Sequence, residues 1–188
     1  MSSQPLTTPA SAPAPEGPEP APRPGEGPKG LLFDIAGIDL GTTLLTKEQI
    51  ERYNPHRGQM ALLDRIVWQT PDLTRGIGMR TIRHDEFWVQ GHFPGKPVFP
   101  GVLMIETAAQ LACYLFIARK EKPTLVLFLR IEQAAFRSAV VPGDSFYVLC
   151  KEFKAQKRRF ISDVQGLSGD RICFDARISG MMTEERSF

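Results

Sequence analysis

The sequence has 188 residues, which is enough for one domain and too few for two domains of usual size. Apolar residues make up 42% of it, which excludes a wholly disordered or fibrous chain, and a net charge of +2 does not indicate nucleic-acid binding. The three cysteines are widely spaced, which argues against a disulfide framework and a zinc site. We therefore expect free thiols in a reducing compartment at Cys113, Cys150 and Cys173.

The first thirty residues differ in composition from the rest of the chain. They contain nine of the sixteen prolines and few apolar side chains. Such a segment cannot offset its ordering entropy by burial, so we predict a disordered, proline-rich arm over residues 1–30. It contains no apolar run of the kind found in secretory signals, and we expect a cytoplasmic protein. Residues 31–188 are predicted to form a single domain.

Signals for a short helix and two strands come next. The sequence Thr46-Lys47-Glu48-Gln49 fits a capping box, in which Thr46 caps the helix and Gln49 reaches back to it. The predicted helix continues to about Tyr53 and is stopped by Pro55. The strands are predicted over residues 61–67 and 77–82, with a turn at residues 70–72.

A long helix is predicted in the middle of the chain. Residues 91–101 are rich in glycine and proline, which indicates a stiff loop. The helix runs from Gly101 to Lys120, roughly 30 Å, and it is apolar nearly all round, which is typical of a helix surrounded by other structure. The apolar stretch from Val98 to Ala118 is about as long as a membrane span, but Glu106 and Gln110 near the middle of that stretch favour a buried helix instead.

Four strands are predicted after the long helix, over residues 124–133, 145–153, 158–165 and 171–181. The element order is a short helix, strands, one long helix and a strand meander. This order predicts an α+β fold in which one long central helix packs on a curved antiparallel sheet.

The three histidines of the chain lie in different settings. His84 lies among charged residues and is predicted to be a solvated strand end. His56 follows a proline and could be either a loop ligand or a structural residue. His92 lies in the stiff loop over residues 91–101, and such a fixed position suits a general base, although a structural role remains the alternative.

Glu106 is the only charged residue between Lys96 and Arg119, and it lies early in a helix that should be buried. An ionisable group in that position needs a partner or a function. Gln110 lies one turn later on the same face and could orient the Glu106 carboxyl group. The alternative is a structural Glu106 whose hydrogen bonds are satisfied by Gln110 and backbone groups. Gly101 begins the helix, so its N–H lacks an intrahelical partner and lies at the positive end of the helix dipole.

A base, an acid and an oxyanion donor beside an apolar helix fit one reaction well. This reaction removes a proton alpha to a carbonyl group and expels a beta hydroxyl group. The sequence contains no nucleophile motif, phosphate-binding loop or metal-ligand spacing, so we predict neither a metal nor a cofactor.

Three segments carry a resemblance to a known family. Residues 91–110 read GHFPGKPVFPGVLMIETAAQ, residues 54–57 read NPHR, and Phe136-Arg137 is followed by VVPGD over residues 140–144. Together they resemble the FabZ-type 3-hydroxyacyl-(acyl carrier protein) dehydratases, which have the hotdog fold. The resemblance covers residues 50–181 approximately and is most specific over residues 91–110.

The resemblance implies that His92 is the base and Glu106 the acid in dehydrating a (3R)-3-hydroxyacyl thioester to the trans-2-enoyl thioester. Relatives that also isomerise the double bond carry Asp at the position of Glu106, so dehydration alone is expected. The resemblance further implies a homodimer whose sites combine His and Glu from different subunits, and such dimers commonly form trimers of dimers. It assigns oxyanion and substrate binding to Gly101, Gln110, Phe93 and Pro94.

The partner implied by the resemblance is an acidic acyl carrier protein that bears the 3-hydroxyacyl chain. Residues 119–159 contain ten lysines or arginines and four acidic residues. This surplus is either a solvated basic face or a docking surface for the carrier. The predicted docking positions are Lys96, Arg137, Lys151 and Lys154.

Two departures from the family pattern leave the pathway open. Gly58-Gln59 replaces an aromatic-proline pair, and Ser138-Ala139 replaces the common Arg-Pro. The enzyme could serve fatty acid biosynthesis or be a paralogue in a polyketide or unusual-lipid pathway. A thioesterase is disfavoured because such enzymes usually lack the His-Phe-Pro-Gly loop. A non-catalytic hotdog subunit is disfavoured because both His92 and Glu106 are retained.

Overall fold

The computed structural model describes residues 30–120 and 124–186, with side chains up to Thr183. Apart from Gly30, the predicted proline-rich arm over residues 1–30 lies outside the described residues. The helices are α1 (Lys47–Ile50), a 3₁₀ turn (Gly58–Met60) and α2 (Gly101–Ile117). The strands are β1 (Leu45–Thr46), β2 (Arg65–Gln69), β3 (Arg75–Thr81), β4 (Thr124–Phe136), β5 (Ser145–Ala155), β6 (Arg159–Ser168) and β7 (Arg171–Arg186).

The strands form one antiparallel sheet in the order β1-β2-β3-β5-β6-β7-β4. Helix α2 packs against β3, β4, β5, β6 and β7, and every residue from Thr107 to Ile117 is buried. The predicted α+β fold, with a long helix wrapped by an antiparallel sheet, is therefore confirmed. None of the helices in the described ranges is long and apolar enough to cross a membrane.

Glycines in β3 leave space for two leucines that pack on this strand, Leu63 and Leu115 of α2. A Cβ atom on Gly78 would lie 2.7 Å from Leu63 Cδ2, and one on Gly76 would lie 3.0 Å from Leu115 Cδ2. Contacts below 3.0 Å require a neighbour to move. A side chain at position 78 would therefore have to displace Leu63, and Gly76 lets Leu115 of α2 lie close to the strand.

Two predicted element boundaries are wrong for identifiable reasons. The strand predicted to begin at residue 61 begins at Arg65, because side chains bind the backbone of Leu62. Its N–H donates to Gln110 Oε1 at 2.9 Å, and its carbonyl oxygen accepts from Arg80 Nη1 at 2.8 Å. Helix α2 ends at Ile117 rather than at residue 120, because the Lys120 N–H bonds to the Ile117 carbonyl in a tighter turn.

Other local predictions agree with the structure only in part. Gln49 Oε1 accepts from the Thr46 N–H at 2.8 Å, as the capping box requires, although α1 ends at Ile50 and not near residue 53. Strand β4 extends beyond the predicted residue 133, and β7 extends beyond the predicted residue 181. The reason is that the two strands pair with each other from Thr124 opposite Arg186 to Phe136 opposite Phe174.

Residues 31–40 cover the face of the sheet opposite α2. Leu32 and Phe33 are 2% and 4% exposed and belong to a second apolar cluster, separate from the core around α2. The Leu32 N–H donates to Gln165 Oε1 at 2.9 Å, and the Phe33 ring lies 5.8 Å from the Trp68 ring. The sequence predicted no secondary structure for this segment, and the structure shows that it buries part of the outer sheet face.

We expect Leu32→Ala and Phe33→Ala each to lower the free energy of unfolding by about 2–5 kcal/mol, because each truncation leaves a cavity in a buried cluster. Urea denaturation followed by circular dichroism measures the change. Leu44→Ala is the matched control, since Leu44 is 46% exposed and its truncation should cost less than about 1 kcal/mol. Equal and small effects of all three substitutions would show that the segment does not stabilise the fold.

The three cysteines are free and buried, as predicted. Burial, with a smaller contribution from the charge of Glu106, raises the pKa of the Cys113 thiol to about 12. Burial also raises the pKa of Cys150 to about 12. A raised thiol pKa means that the reactive thiolate is scarce at pH 8.

A thiol reagent such as 5,5′-dithiobis(2-nitrobenzoic acid) should therefore leave the native protein unmodified at pH 8 for many minutes. After unfolding in guanidinium chloride, it should titrate all three cysteines of the chain. Rapid reaction of Cys113 or Cys150 in the folded protein would contradict the burial of these thiols.

Candidate active site

His92 is fixed in one ring orientation by its own loop. Its Nδ1 atom lies 2.7 Å from the Val98 carbonyl oxygen, and the Val98 N–H donates back to the His92 carbonyl at 2.8 Å. Because a carbonyl oxygen can only accept, the ring proton lies on Nδ1 and the Nε2 atom keeps its lone pair. His92 is therefore arranged to accept a proton at Nε2.

An open pocket of about 470 Å³ lies beside His92. Its walls are mostly apolar, and they join the histidine loop to the start of α2 and to the end of β4. We call it the His92 pocket, and its lining includes His92, Val98, Gly101, Met104, Phe136 and Arg137.

Gly101 is the first residue of α2, as predicted, and Pro100 is the N-cap. The Gly101 N–H has no intrahelical acceptor and lies at the positive end of the helix dipole. The Phe136 ring packs directly on the Gly101 backbone, since a Cβ atom there would lie 2.7 Å from Phe136 Cε1. Glycine at this position thus keeps both the first N–H and the aromatic wall in place.

Glu106 lies in a second group of residues, which we call the Glu106 cluster: Glu106, Gln110 and His56. Gln110 Nε2 donates to Glu106 Oε1 at 2.9 Å and to the Met60 carbonyl at 2.8 Å. His56 Nε2 lies 3.2 Å from the same Glu106 Oε1 atom. The structure therefore joins Gln110 to Glu106, and it adds a histidine whose role the sequence left open.

The His92 pocket and the Glu106 cluster are separate within one chain. Glu106 follows Gly101 by five residues, which places the two about 140° apart around the helix axis. Among the described residues, no hydrogen bond or ion pair links His92 to Glu106. Each chain therefore holds the predicted base and oxyanion donor at one place and the predicted acid at another.

The predicted substrate and docking residues fall into two groups. Phe93, Pro94 and Lys96 are exposed on the His92 loop, where the Phe93 ring stacks on the His92 ring at 4.2 Å. Arg137 lines the His92 pocket and binds Asp175 through Nε at 2.7 Å, and these hydrogen bonds raise the pKa of Arg137.

Lys151 and Lys154 lie on β5, next to Glu152, which pairs with Arg119 just beyond the C-terminal end of α2. The ends of α2 are about 24 Å apart, so these two lysines are distant from the His92 pocket. The predicted docking set is thus divided between the two ends of the helix.

The sequence assigned no role to two residues that shape these sites. His56 contacts Glu106, and Phe136 covers Gly101. His56 was left open between a loop ligand and a structural residue, whereas Phe136 was noted only as part of the family pattern, which was the available signal. Within the residues that the structure describes, no group of three or more His, Cys, Asp or Glu side chains is placed to hold a metal ion.

Comparison with solved structures identifies the fold. The dehydratase heterocomplex ApeI:P from Xenorhabdus doucetiae matches with a TM-score of 0.63 and 16% identity, over 72% of this chain and 91% of that chain. A long helix packed on an antiparallel sheet of this kind is the hotdog fold, which confirms the predicted fold class.

Sequence comparison identifies the family. The model of the FabA-like domain matches residues 54–177. The FabZ 3-hydroxyacyl-(acyl-carrier-protein) dehydratase of Acidiphilium cryptum is 40% identical over 119 residues, which span 62% of this chain and 64% of the relative. The FabZ dehydratase of Rhodopseudomonas palustris is 35% identical over 153 residues, which span 80% of this chain and 96% of the relative. The chain belongs to the FabA-like family, among its FabZ-type dehydratases, which are hydro-lyases of fatty acid biosynthesis.

Proposed function

We propose that the chain removes water from a (3R)-3-hydroxyacyl thioester on acyl carrier protein, with His92 as the base and Glu106 as the acid. The observation that carries this proposal is the 2.7 Å contact of His92 Nδ1 with the Val98 carbonyl oxygen. It leaves Nε2 ready to accept the C2 proton. Family membership supplies the reaction class, and the site geometry supports these roles.

The proposed reaction transfers two protons and breaks one carbon–oxygen bond. His92 Nε2 takes a proton from C2, while the Gly101 N–H stabilises the negative charge that develops on the thioester oxygen. The electron pair of the former C–H bond forms the C2–C3 double bond. Glu106 donates its proton to the departing hydroxyl group, which leaves as water.

A homodimer would bring the His92 pocket of one subunit and the Glu106 cluster of the other together. Strand β4 lies at the edge of the sheet and pairs with β7 on one side. Four apolar side chains along its middle are 42–52% exposed: Leu127, Phe128, Leu129 and Ile131. An unpaired edge strand with apolar side chains is a site for strand pairing. We propose that β4 pairs with β4 of a second copy, and that such dimers form trimers of dimers.

Acyl carrier protein is proposed to dock beside the His92 pocket, with Lys96 and Arg137 as its contacts. Both basic residues lie on elements that form the pocket mouth, so their charges complement an acidic carrier there. Lys151 and Lys154 would instead contact a part of the carrier far from the acyl chain.

We also propose a reducing, cytoplasmic location, which the buried free thiols support.

The proposed function is tested with the wild-type chain and 3-hydroxyacyl thioesters of several lengths, on acyl carrier protein and on coenzyme A. We expect enoyl absorbance to rise, faster with the carrier protein than with coenzyme A, and no free thiol to appear. Thiol release without enoyl formation would identify a thioesterase instead. An inert wild-type protein that gains activity with a second hotdog chain would identify a non-catalytic subunit.

A further inference from the structure

His56 and Gln110 approach the same oxygen of Glu106. His56 Nε2 lies 3.2 Å and Gln110 Nε2 lies 2.9 Å from Oε1. The side chains of His56 and Glu106 are 28% and 27% exposed, so this contact lies partly out of solvent. An amide nitrogen can only donate, so Oε1 accepts at least one hydrogen bond, from Gln110.

The surroundings of the second ring nitrogen decide whether His56 donates or accepts the hydrogen bond in its contact with Glu106. His56 Nδ1 is buried and has no hydrogen-bond partner among the residues that the structure describes. A proton on Nδ1 would be a buried N–H without an acceptor, which is a costly and rare arrangement. The ring proton is therefore expected on Nε2, where His56 donates it to Glu106 Oε1.

The rest of the NPHR segment holds His56 in place. Asn54 Nδ2 donates to the backbone carbonyl of Gln110 at 2.8 Å, which ties the segment to the turn of α2 that supports Glu106. Arg57 Nη1 donates to the carbonyl oxygens of Asn54 and His56 at 2.7 and 2.8 Å, and Arg57 Nη2 donates to that of Glu51. The loop is thus fixed on both sides of His56.

We propose that His56 is a positioning residue that directs the proton of Glu106. Two N–H donors on Oε1 make that oxygen the acceptor of the carboxyl group, so the acid proton resides on Oε2. Oε2 then becomes the oxygen that protonates the departing hydroxyl group. This inference rests on the proposed function, because it assigns to His56 a role in the acid half of that reaction.

The kinetic test compares His56→Leu with His56→Gln in the full-length protein. Leucine removes the donor, whereas the glutamine amide nitrogen can occupy the position of Nε2. We expect His56→Leu to lower kcat about tenfold, with KM changed less than about twofold, the effect of one hydrogen bond to an ionisable group. His56→Gln should restore kcat to within about threefold of wild type. His84→Leu, at an exposed histidine, is the matched control and should leave kcat unchanged.

A double substitution separates positioning from direct contact with substrate. If His56 acts through Glu106, then His56→Leu should have no further effect on kcat in the Glu106→Gln background. An additive loss would show that His56 acts on substrate directly and would overturn the proposal. Equal losses for His56→Leu and His56→Gln would also overturn it, because they would indicate a structural role.

A readout that needs no activity distinguishes failure of this proposal from failure of the proposed function. Nitrogen-15 NMR of the wild-type protein labelled at histidine reports the tautomer of each ring. We expect the Nε2–H tautomer for His56 and the Nδ1–H tautomer for His92. An Nδ1–H tautomer at His56 would overturn the positioning role even in an active enzyme. An inert enzyme with the expected tautomers would overturn the proposed function and leave the contact intact.

Discussion

Replacing His92 by alanine or Glu106 by glutamine is expected to lower kcat by at least about 100-fold, the usual contribution of a general base or acid. Alanine removes the Nε2 lone pair that the Val98 contact leaves available. Glutamine keeps the shape of Glu106 and its hydrogen bond with Gln110, but it has no acid proton to give. Stopped-flow or steady-state enoyl absorbance measures both losses.

The controls for these substitutions are His84→Ala and Glu48→Gln, which change exposed residues of the same types. Both controls should retain wild-type turnover and stability. Full activity of either His92→Ala or Glu106→Gln would remove that residue from the mechanism. It would do so without affecting the family assignment, which rests on sequence comparison.

Co-expression of the two inactive variants tests whether the sites are shared between subunits. In a mixed dimer, one site receives both substitutions and the other receives neither. Random pairing should therefore restore about a quarter of wild-type turnover, because half of the dimers are mixed and each carries one intact site. No recovery, despite mixed dimers detected by mass spectrometry, would place His92 and Glu106 of each site in one chain.

The second large effect is expected at the start of α2. A Cβ atom on residue 101 would lie 2.7 and 2.9 Å from Phe136 Cε1 and Cζ, so Gly101→Ala must displace either the ring or the helix end. Displacing the helix end moves the proposed oxyanion donor, and displacing the ring changes the wall of the His92 pocket. We expect kcat/KM to fall about 100-fold, since a shift near 1 Å at a reacting centre has that order of effect.

Two variants make this prediction specific. Gly101→Ala with Phe136→Leu should recover much of the lost activity, because the shorter side chain vacates the space that the new methyl group needs. Gly91→Ala is the matched control, since a Cβ atom there has nothing within 4 Å. Failure of Phe136→Leu to rescue Gly101→Ala would show that the clash with the ring is not the cause.

Contacts between near neighbours account for what was predicted correctly. The capping box was predicted because Gln49 follows Thr46 by three residues. The contact between Glu106 and Gln110 was predicted because the two residues are one helical turn apart. The start of α2 at Gly101 followed from the glycines and prolines that precede it. These features depend on backbone geometry over a few residues, which the sequence displays directly.

The boundaries that failed depend on partners elsewhere in the chain. Strand β2 begins late because Gln110 and Arg80 bind the Leu62 backbone, and neither residue is near it in sequence. Strands β4 and β7 are long because each provides the other's hydrogen bonds. No local pattern encodes such competition for backbone groups.

The composition of the sequence predicted one domain behind a proline-rich segment, and its motifs predicted the fold, the family and the residues that could act as base and acid. Only the tertiary structure decided which of these residues lie together and which lie apart. It separated His92 from Glu106 around α2, joined His56 to Glu106, and tied Leu32 to Gln165 across 133 residues of sequence. The physical reason is that residue type sets what a group can do, whereas packing between distant segments sets which groups meet.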